Sequence, residues 1–305
     1  MISFVSLGLV CIAFFLSCKT NEYTEEEELT SAFKTPEKII STAKTAILFK
    51  NDQITRLTQI GKKNISFQEK TIHFELAILE DYLQHVETVA ISKQIPITGI
   101  SFVFGAKANG KRTVFMMPSI QNVQLDYQES FTIENGALLT FKHIEETLPK
   151  HVQSTNDENL ILSAHGYLSF NEAVTLFNAY QEQYLQNIVQ KVDRDYYTKA
   201  VWYSLEEINE YINYVHRQSN KHHLNITGID VFFGVYDTNP ELELKSNAQT
   251  VFLAPSHQQQ TIINSKGALL NTFHKNDFFY KENTTDEDES LVYNMGHLSP
   301  PPKNN

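Results

Sequence analysis

The chain has 305 residues, 41% of them hydrophobic and 11% aromatic, enough to bury one large core or two of ordinary size. Its net charge of −11 is concentrated at the ends, because Glu25 to Glu28 and Asp286 to Glu289 account for all but −3 of it. The middle is therefore nearly neutral and carries no basic stripe able to neutralise phosphates, which excludes nucleic acid as a partner and leaves the acidic runs as solvated linkers.

Residues 1–17, MISFVSLGLVCIAFFLS, have no charged side chain and are apolar almost throughout. The stretch is too short and too near the start for a buried core helix and reads as a signal segment, with an uncleaved N-terminal membrane anchor as the alternative. Cys18 follows Phe15, Leu16 and Ser17 and precedes the polar Lys19, Thr20 and Asn21. This resembles the lipobox of bacterial lipoproteins, in which a small residue precedes a cysteine that is diacylated and becomes the new N-terminus. Phe15 stands where that pattern usually has Leu or Val, and no Lys or Arg precedes the apolar stretch, as in the looser lipoboxes of Bacteroidota. The resemblance implies removal of residues 1–17, palmitate-type acyl chains on Cys18, and a place in the cell envelope, at the outer membrane, held by lipid rather than inserted. Cys11 and Cys18 are the only cysteines, so the mature protein would have no free thiol, neither a disulfide framework nor a thiolate metal site. Residues 18–34 are expected to form an acidic flexible tether. In Bacteroidota an acidic patch behind the lipidated cysteine resembles a signal for export to the cell surface, and a charged spacer would look the same.

An internal repeat organises the rest. Residues 70–106 align without a gap on 199–235 at an offset of 129, so that Ile97, Thr98, Gly99 and Ile100 fall on Ile226, Thr227, Gly228 and Ile229. Thr113, Val114, Phe115, Pro118 and Ser119 then match Thr250, Val251, Phe252, Pro255 and Ser256, and Gly136 to Leu139 match Gly267 to Leu270. The expected fold class is α+β, with two tandem copies of a helix–strand–helix–strand–strand unit related by an approximate pseudo-twofold axis. Repeat 1 covers 35–146, a polar linker 147–167, repeat 2 168–280, and a disordered acidic and proline-rich tail 281–305.

In chain order, Thr35 followed by Pro36 predicts a capped first helix. TIHF predicts a short strand, and the apolar stripe that follows it a second helix. ITGISFVFG reads as a central strand, and Asn109 with Gly110 as a two-residue type I′ turn into RTVFMMPS. In repeat 2, Ser169 and Glu172 form a capping box ahead of a helix carrying Ala173, Leu176, Phe177, Tyr180, Tyr184 and Ile188 on one face. AVWYS is the short strand, Ser204 and Glu207 cap the next helix, and ITGIDVFFG is the second central strand. The hairpin turn of repeat 1 is replaced by a longer connection, residues 236–249, whose Asn239 and Pro240 mark it as a surface loop and the favoured place for recognition.

No GxSxG elbow, HExxH, Gly-rich phosphate loop or DxDxDG calcium loop is present, so no residue is assigned to catalysis and no cofactor is implied. His216, His222 and His223 cluster without a carboxylate or cysteine at a customary spacing, so a solvated helix end is the preferred reading over a metal site. Glu206 and Glu207 resemble a paired-carboxylate site but are accounted for by their place in the first turn of a helix. Trp202, the only tryptophan, lies beside Tyr203 and close to Tyr196 and Tyr197. These rings could stack on sugars or simply fill the core. With Asn239 and Pro240, Trp202 and Tyr203 make up the candidate binding surface.

The aromatic strand, the tyrosine-bearing helix and ITGI followed by an FFG strand resemble short Bacteroidota proteins and lipoproteins, some single-copy and some duplicated, a resemblance that implies no particular activity. The expected function is a non-catalytic envelope binding or interaction module, attached to the membrane by its lipid and facing a protein or glycan partner. The alternative is an envelope hydrolase acting on a glycan or other polymer.

Overall fold

Residues 35–57, 71–124, 126–134, 137–142, 169–189, 197–238, 245–257, 260–262, 290–294 and 296–299 are described by a computed structural model. The chain opens with β1 (Ile39–Ile40), α1 (Thr42–Asp52, continuing as a π-helical turn, Gln53–Leu57), β2 (Thr71–Glu75) and α2 (Leu76–Lys93). It continues with β3 (Ile97–Ala106), β4 (Arg112–Asn122), β5 (Tyr127–Glu134) and β6 (Ala137–Phe141). There follow α3 (Phe170–Tyr180, with a π-helical turn Gln181–Leu185), α4 (Gln186–Val189), β7 (Ala200–Ser204), α5 (Leu205–His222), β8 (Gly228–Val235) and β9 (Gln249–His257). The last elements are β10 (Gln260–Thr261), β11 (Val292–Tyr293) and β12 (His297–Ser299). The class is α+β.

Two antiparallel sheets run in the order β1-β11-β9-β8-β2, with β10 on β9, and β12-β7-β3-β4-β5-β6. The short strands do not pair with their neighbours in sequence. Glu75 to Thr71 of β2 lie opposite Gly228 to Phe232 of β8, while Ser204 to Ala200 of β7 lie opposite Gly99 to Val103 of β3. Counted with the 129-residue offset, the two registers are the same. The helices cross over in the same way. α1 packs on β8, with Phe49 edge-on to Phe232 at 5.9 Å, and α3 packs on β3.

Glycine makes those helix contacts close: a Cβ on Gly234 would come within 3.1 Å of the Leu48 Cβ, and one on Gly105 within 3.1 Å of the Leu176 Cβ. The FG step in each central strand therefore admits a leucine from the covering helix. Between α2 and α5, Asn209 Nδ2 donates to Glu87 Oε1 at 2.8 Å, and His216 Nε2 lies 2.5 Å from Glu80 Oε1. Asn209 and His216 stand 129 residues after Glu80 and Glu87. Phe104 and Phe233, again 129 apart, touch edge to face at 5.4 Å.

Local signals account for most boundaries. Ser169 with Glu172 and Ser204 with Glu207 form complete capping boxes, as their spacing predicts. α2 and α5 end at Gln94 and His223, both left-handed at φ 55° and 54°, where the turned-back N–H groups meet the last carbonyls. The central strands are buried along most of their lengths.

Three expectations are corrected. The first helix starts at Thr42 behind Ser41, whose side chain accepts from the Lys44 N–H; Thr35 and Pro36 precede β1 instead. Ser41 is a sufficient cap on its own, and the Thr35-Pro36 signal fits a turn equally well. The β3–β4 turn is not type I′, because among Lys107 to Lys111 only Gly110 has positive φ, at 75°. Gly110 N–H donates to the Lys107 carbonyl and Lys107 N–H to the Lys111 carbonyl, the pattern of a three-residue loop closed by a glycine bulge.

The third correction concerns the tail over 281–305, whose residues 290–299 are built into the fold. Leu291, Val292 and Asn294 are fully buried. Tyr211 Oη donates to the Leu291 carbonyl, Tyr293 stacks on Tyr211 at 4.6 Å, and Asn294 Nδ2 donates to the Val251 carbonyl at 2.6 Å. The surrounding acids, asparagines and prolines mask a short apolar run, LVYN, whose backbone is satisfied by β1 and β9. No helix among the described residues is long and apolar enough to cross a membrane.

Candidate functional site

Two positions 129 residues apart have the same geometry and different chemistry, His73 on β2 and Trp202 on β7. Each ring lies over a glycine of the neighbouring central strand. A Cβ on Gly99 would meet the Tyr203 carbonyl at 2.1 Å and the Trp202 Nε1 at 2.6 Å, and one on Gly228 the His73 Cε1 at 2.2 Å. The glycine of ITGI is therefore the space into which the ring of the other segment fits.

Trp202 is half-buried, and its indole N–H is covered and has no hydrogen-bond partner among the described residues. The imidazole of His297, on β12 directly opposite, is tilted against the indole at 5.2 Å. Burial, reinforced by Lys38 and Lys245, pushes the His297 pKa below its usual value, so this ring is neutral at physiological pH. Beside the two rings lies a pocket of about 240 Å³, walled by Gln121, Asp126 and Gln128 and by the strand ends carrying Tyr127 and Leu298. Thr98 Oγ1 donates to Gln128 Oε1 at 2.5 Å, and Gln121 bonds to both Asp126 and Gln128. The result is one aromatic wall beside a patch of amide and carboxylate groups.

Tyr203 does not share that surface. Successive strand residues face opposite sides of a sheet, so a half-buried Trp202 on the outer side sends Tyr203 inward, where it is fully buried with its ring edge-on to Phe102 at 5.8 Å. Burial pushes its phenol pKa well above the ordinary range, next to Tyr236 and Tyr293. The aromatic cluster thus divides between surface and core. Asn239, Pro240, Tyr196 and Cys18 lie outside the described residues. His216 is paired with Glu80, His223 is the C-cap of α5, and no three His, Cys, Asp or Glu side chains converge as a metal ion would require among the described residues. Glu207 completes the capping box and pairs with Lys38; burial works against its charge, but Lys38 and the Ser204 N–H hold its pKa below the usual carboxylate value.

At the other position Asp230, 1% exposed, is the hub of a polar cluster. Its Oδ1 lies 2.8 Å from His73 Nδ1 and accepts from Ser256 Oγ at 3.1 Å, while its Oδ2 accepts from Thr261 Oγ1 at 2.6 Å. The hydrogen bond that His73 donates to Asp230 raises the His73 pKa, burial lowers it in part, and the charges of Asp230 and Glu75 add to the rise. Serine, histidine and aspartate together suggest nucleophilic chemistry, but the connectivity is wrong for it. Ser256 Oγ sits 3.3 Å from the same Nδ1 that Asp230 engages, whereas a nucleophile would need the Nε2 side of the ring. The cluster positions a charge and does not activate a hydroxyl.

Sequence reasoning passed over this cluster, and the signal for it was a lone acid inside an otherwise apolar strand. Asp230 in ITGIDVFFG required buried partners. Comparison with known proteins finds no family model that matches this chain, and no matching curated protein or solved structure.

Proposed function

We propose that the chain is a lipid-anchored bacterial envelope protein, attached through Cys18, whose globular part is a duplicated α+β unit acting as a non-catalytic binding or interaction module. The observation that carries the binding role is the pocket at Trp202, where an aromatic wall stands beside Gln121, Asp126 and Gln128. Stacking on the ring and hydrogen bonding to planar amide and carboxylate groups suit a glycan or a polar segment of a protein partner.

The duplication with an approximate twofold axis is supported by contacts that repeat when both partners are shifted by the offset. β2 on β8 repeats as β7 on β3, Glu80–His216 repeats as Asn209–Glu87, and Phe104 meets its own counterpart Phe233. A residue touching its own counterpart is what a twofold axis produces. The exchange of strand and helix between copies matches a fused form of two intertwined single-copy chains.

The alternative, an envelope hydrolase, draws on Ser256, His73 and Asp230, and the shared Nδ1 counts against it. The sole tryptophan supplies the test. Emission from Trp202 is expected to shift saturably with one of a panel of purified peptidoglycan, lipopolysaccharide and capsular glycan fragments, and Trp202→Ala to abolish that binding. No response to any of them, together with glycan cleavage that Ser256→Ala abolishes, would replace the binding reading with the hydrolase. Incorporation of radiolabelled palmitate that is lost in Cys18→Ala checks the anchor.

A further inference from the structure

The solvent-facing side of α1 differs in character from that of the corresponding helix α3. Ala43, Ile47, Lys50 and Ile54 recur at intervals of four, three and four residues, which lines them up on one face, and all four are exposed. Ile47 is 45% and Ile54 54% exposed. The helices correspond element for element, each running eleven residues from a capping serine, Ser41 or Ser169, into a five-residue π-helical turn. Counted from those serines, Ile47 corresponds to Thr175 and Ile54 to Glu182, both exposed, and Lys50 to the buried Asn178. The outer positions are thus apolar at Ile47 and Ile54 where the other helix has the polar Thr175 and the acidic Glu182, and the exposed base Lys50 has only a buried amide as its counterpart.

Among the described residues, the other large exposed apolar side chains do not form such a face. Ile78 and Ile91 point to different sides of α2, Val123 sits in the β4–β5 turn and Leu138 on β6. The α1 face also follows directly on the segment that leads from Cys18, so in a lipid-anchored chain the bilayer is within reach of it at all times, since a chain spans at most about 3.5 Å per residue.

We infer that the Ala43–Ile47–Lys50–Ile54 face of α1 rests on the anionic phospholipid surface that holds the acyl chains of Cys18. The inference builds on the lipid-anchor reading above. The isoleucines enter the boundary between headgroups and acyl chains while Lys50 stays at the level of the phosphates. A face this small binds weakly alone, but the anchor makes its docking intramolecular, so a weak contact suffices. With α1 down, the pocket at Trp202 belongs to the other sheet and is presented by a body of fixed orientation.

Full-length protein that has passed through lipidation has no free thiol, because Cys11 leaves with the signal segment and the Cys18 sulfur carries lipid. Ile47→Cys and, separately, Thr175→Cys are labelled with an environment-sensitive fluorophore and reconstituted in phosphatidylethanolamine–phosphatidylglycerol vesicles. The label at 47 is expected to shift to the blue and to be quenched several-fold by spin-labelled lipid, while the label at 175 stays in water. Ile54→Cys should repeat the result at 47, and an unchanged thermal transition shows that these exposed substitutions leave the fold intact. Equal, unshifted emission at 47 and 175 overturns the proposal. A shift that grows with protein-to-lipid ratio, without quenching by lipid, assigns the face to a second copy of the chain and overturns it too. Palmitate labelling of the same preparations separates the two readings. Label present without a shift removes the docking alone, and label absent removes the anchor and the docking with it.

Discussion

The two sheets present corresponding positions filled with different chemistry. Where α1 ends, Asp52 and Arg112 form a fully buried, two-pronged ion pair with N···O distances of 2.9 and 2.7 Å, and the guanidinium stacks over Phe233 at 4.1 Å. Where α3 ends, Tyr180 stands in the place of Asp52 and donates to Gln249 Oε1 at 2.9 Å. Gln249 in turn begins β9 as Arg112 begins β4. One joint is ionic and the other neutral, yet both fasten a helix end to the first residue of a strand. The geometry therefore requires a polar crosslink at that point and is indifferent to its charge. Glycine at 99 and 228 is a different matter, because there the neighbouring strand and the ring it carries already occupy the place of a side chain.

The largest expected effect comes from the C-terminal segment, which adds a strand to each sheet. The tail places β11 between β1 and β9 and β12 outside β7, while β2 has no strand on its outer side among the described residues. A chain ending at Glu289 is expected not to reach the native state, judged by loss of the cooperative thermal transition. The milder Tyr293→Ala should cost about 3–5 kcal/mol in urea denaturation. A truncated chain that melts like the parent would mean that the halves stand without the strap.

Next comes the contrast between the joints. Asp52→Ala leaves the Arg112 charge buried and uncompensated, at a cost of about 3–5 kcal/mol, whereas Tyr180→Phe removes one neutral hydrogen bond, about 1 kcal/mol. Burial alone would lower the Arg112 pKa, and the Asp52 carboxylate more than reverses that, so the charge persists at any pH at which the protein folds. Equal urea midpoints for the two variants would remove the distinction between an ionic and a neutral joint.

The glycines give a smaller, graded test. In Gly99→Ala the new methyl meets the Tyr203 carbonyl, which can move only if β7 moves, and in Gly228→Ala it first meets the His73 imidazole, which can swing aside. Gly99→Ala should therefore exceed Gly228→Ala, each within the range of about 1–3 kcal/mol for overpacking. The reverse order would show that β2 is held more rigidly than β7.

What was legible in the sequence is what is decided locally. Ser169 with Glu172, Ser204 with Glu207 and the apolar central strands carry their own instructions over a few residues. TIHF and AVWYS announce strands, but nothing in a five-residue strand states its partner, and the pairing of β2 with β8 and of β7 with β3 rests on the glycines at 228 and 99 that receive their rings. The type I′ reading of Asn109-Gly110 failed because one extra residue joins the loop and only Gly110 needs to turn left-handed. The strand at Val292 was hidden by averaging over its acidic and proline-rich surroundings. For Trp202 the sequence left a binding ring and a core ring both open, and pairing it with Tyr203 ignored the alternation that separates neighbours on a strand.

The finest distinction between the halves is one of charge. His73 holds its proton to higher pH in the folded protein because Asp230 and Glu75 face it, with Ser256 and Thr261 supplying only hydroxyls to the same cluster. A raised folded-state pKa adds stability that is fully present below the unfolded value of about 6.5 and is lost as the pH rises through the folded pKa. The stability difference between the parent and His73→Gln should then be larger at about pH 5.5 than at about pH 8.5, modestly so, since the ring is one-third exposed and solvent screens it. Groups remote from the cluster are the same in both proteins and cancel in that difference. Trp202→Gln, made at the corresponding position, exchanges no proton of its own but uncovers His297, whose pKa burial lowers, so its difference should run the other way, larger at about pH 8.5 than at about pH 5.5. Differences that run in the same direction for both variants, or a flat one for His73→Gln, would mean that the two positions are not distinguished by their electrostatics and that the Asp230 cluster serves only to satisfy a buried carboxylate.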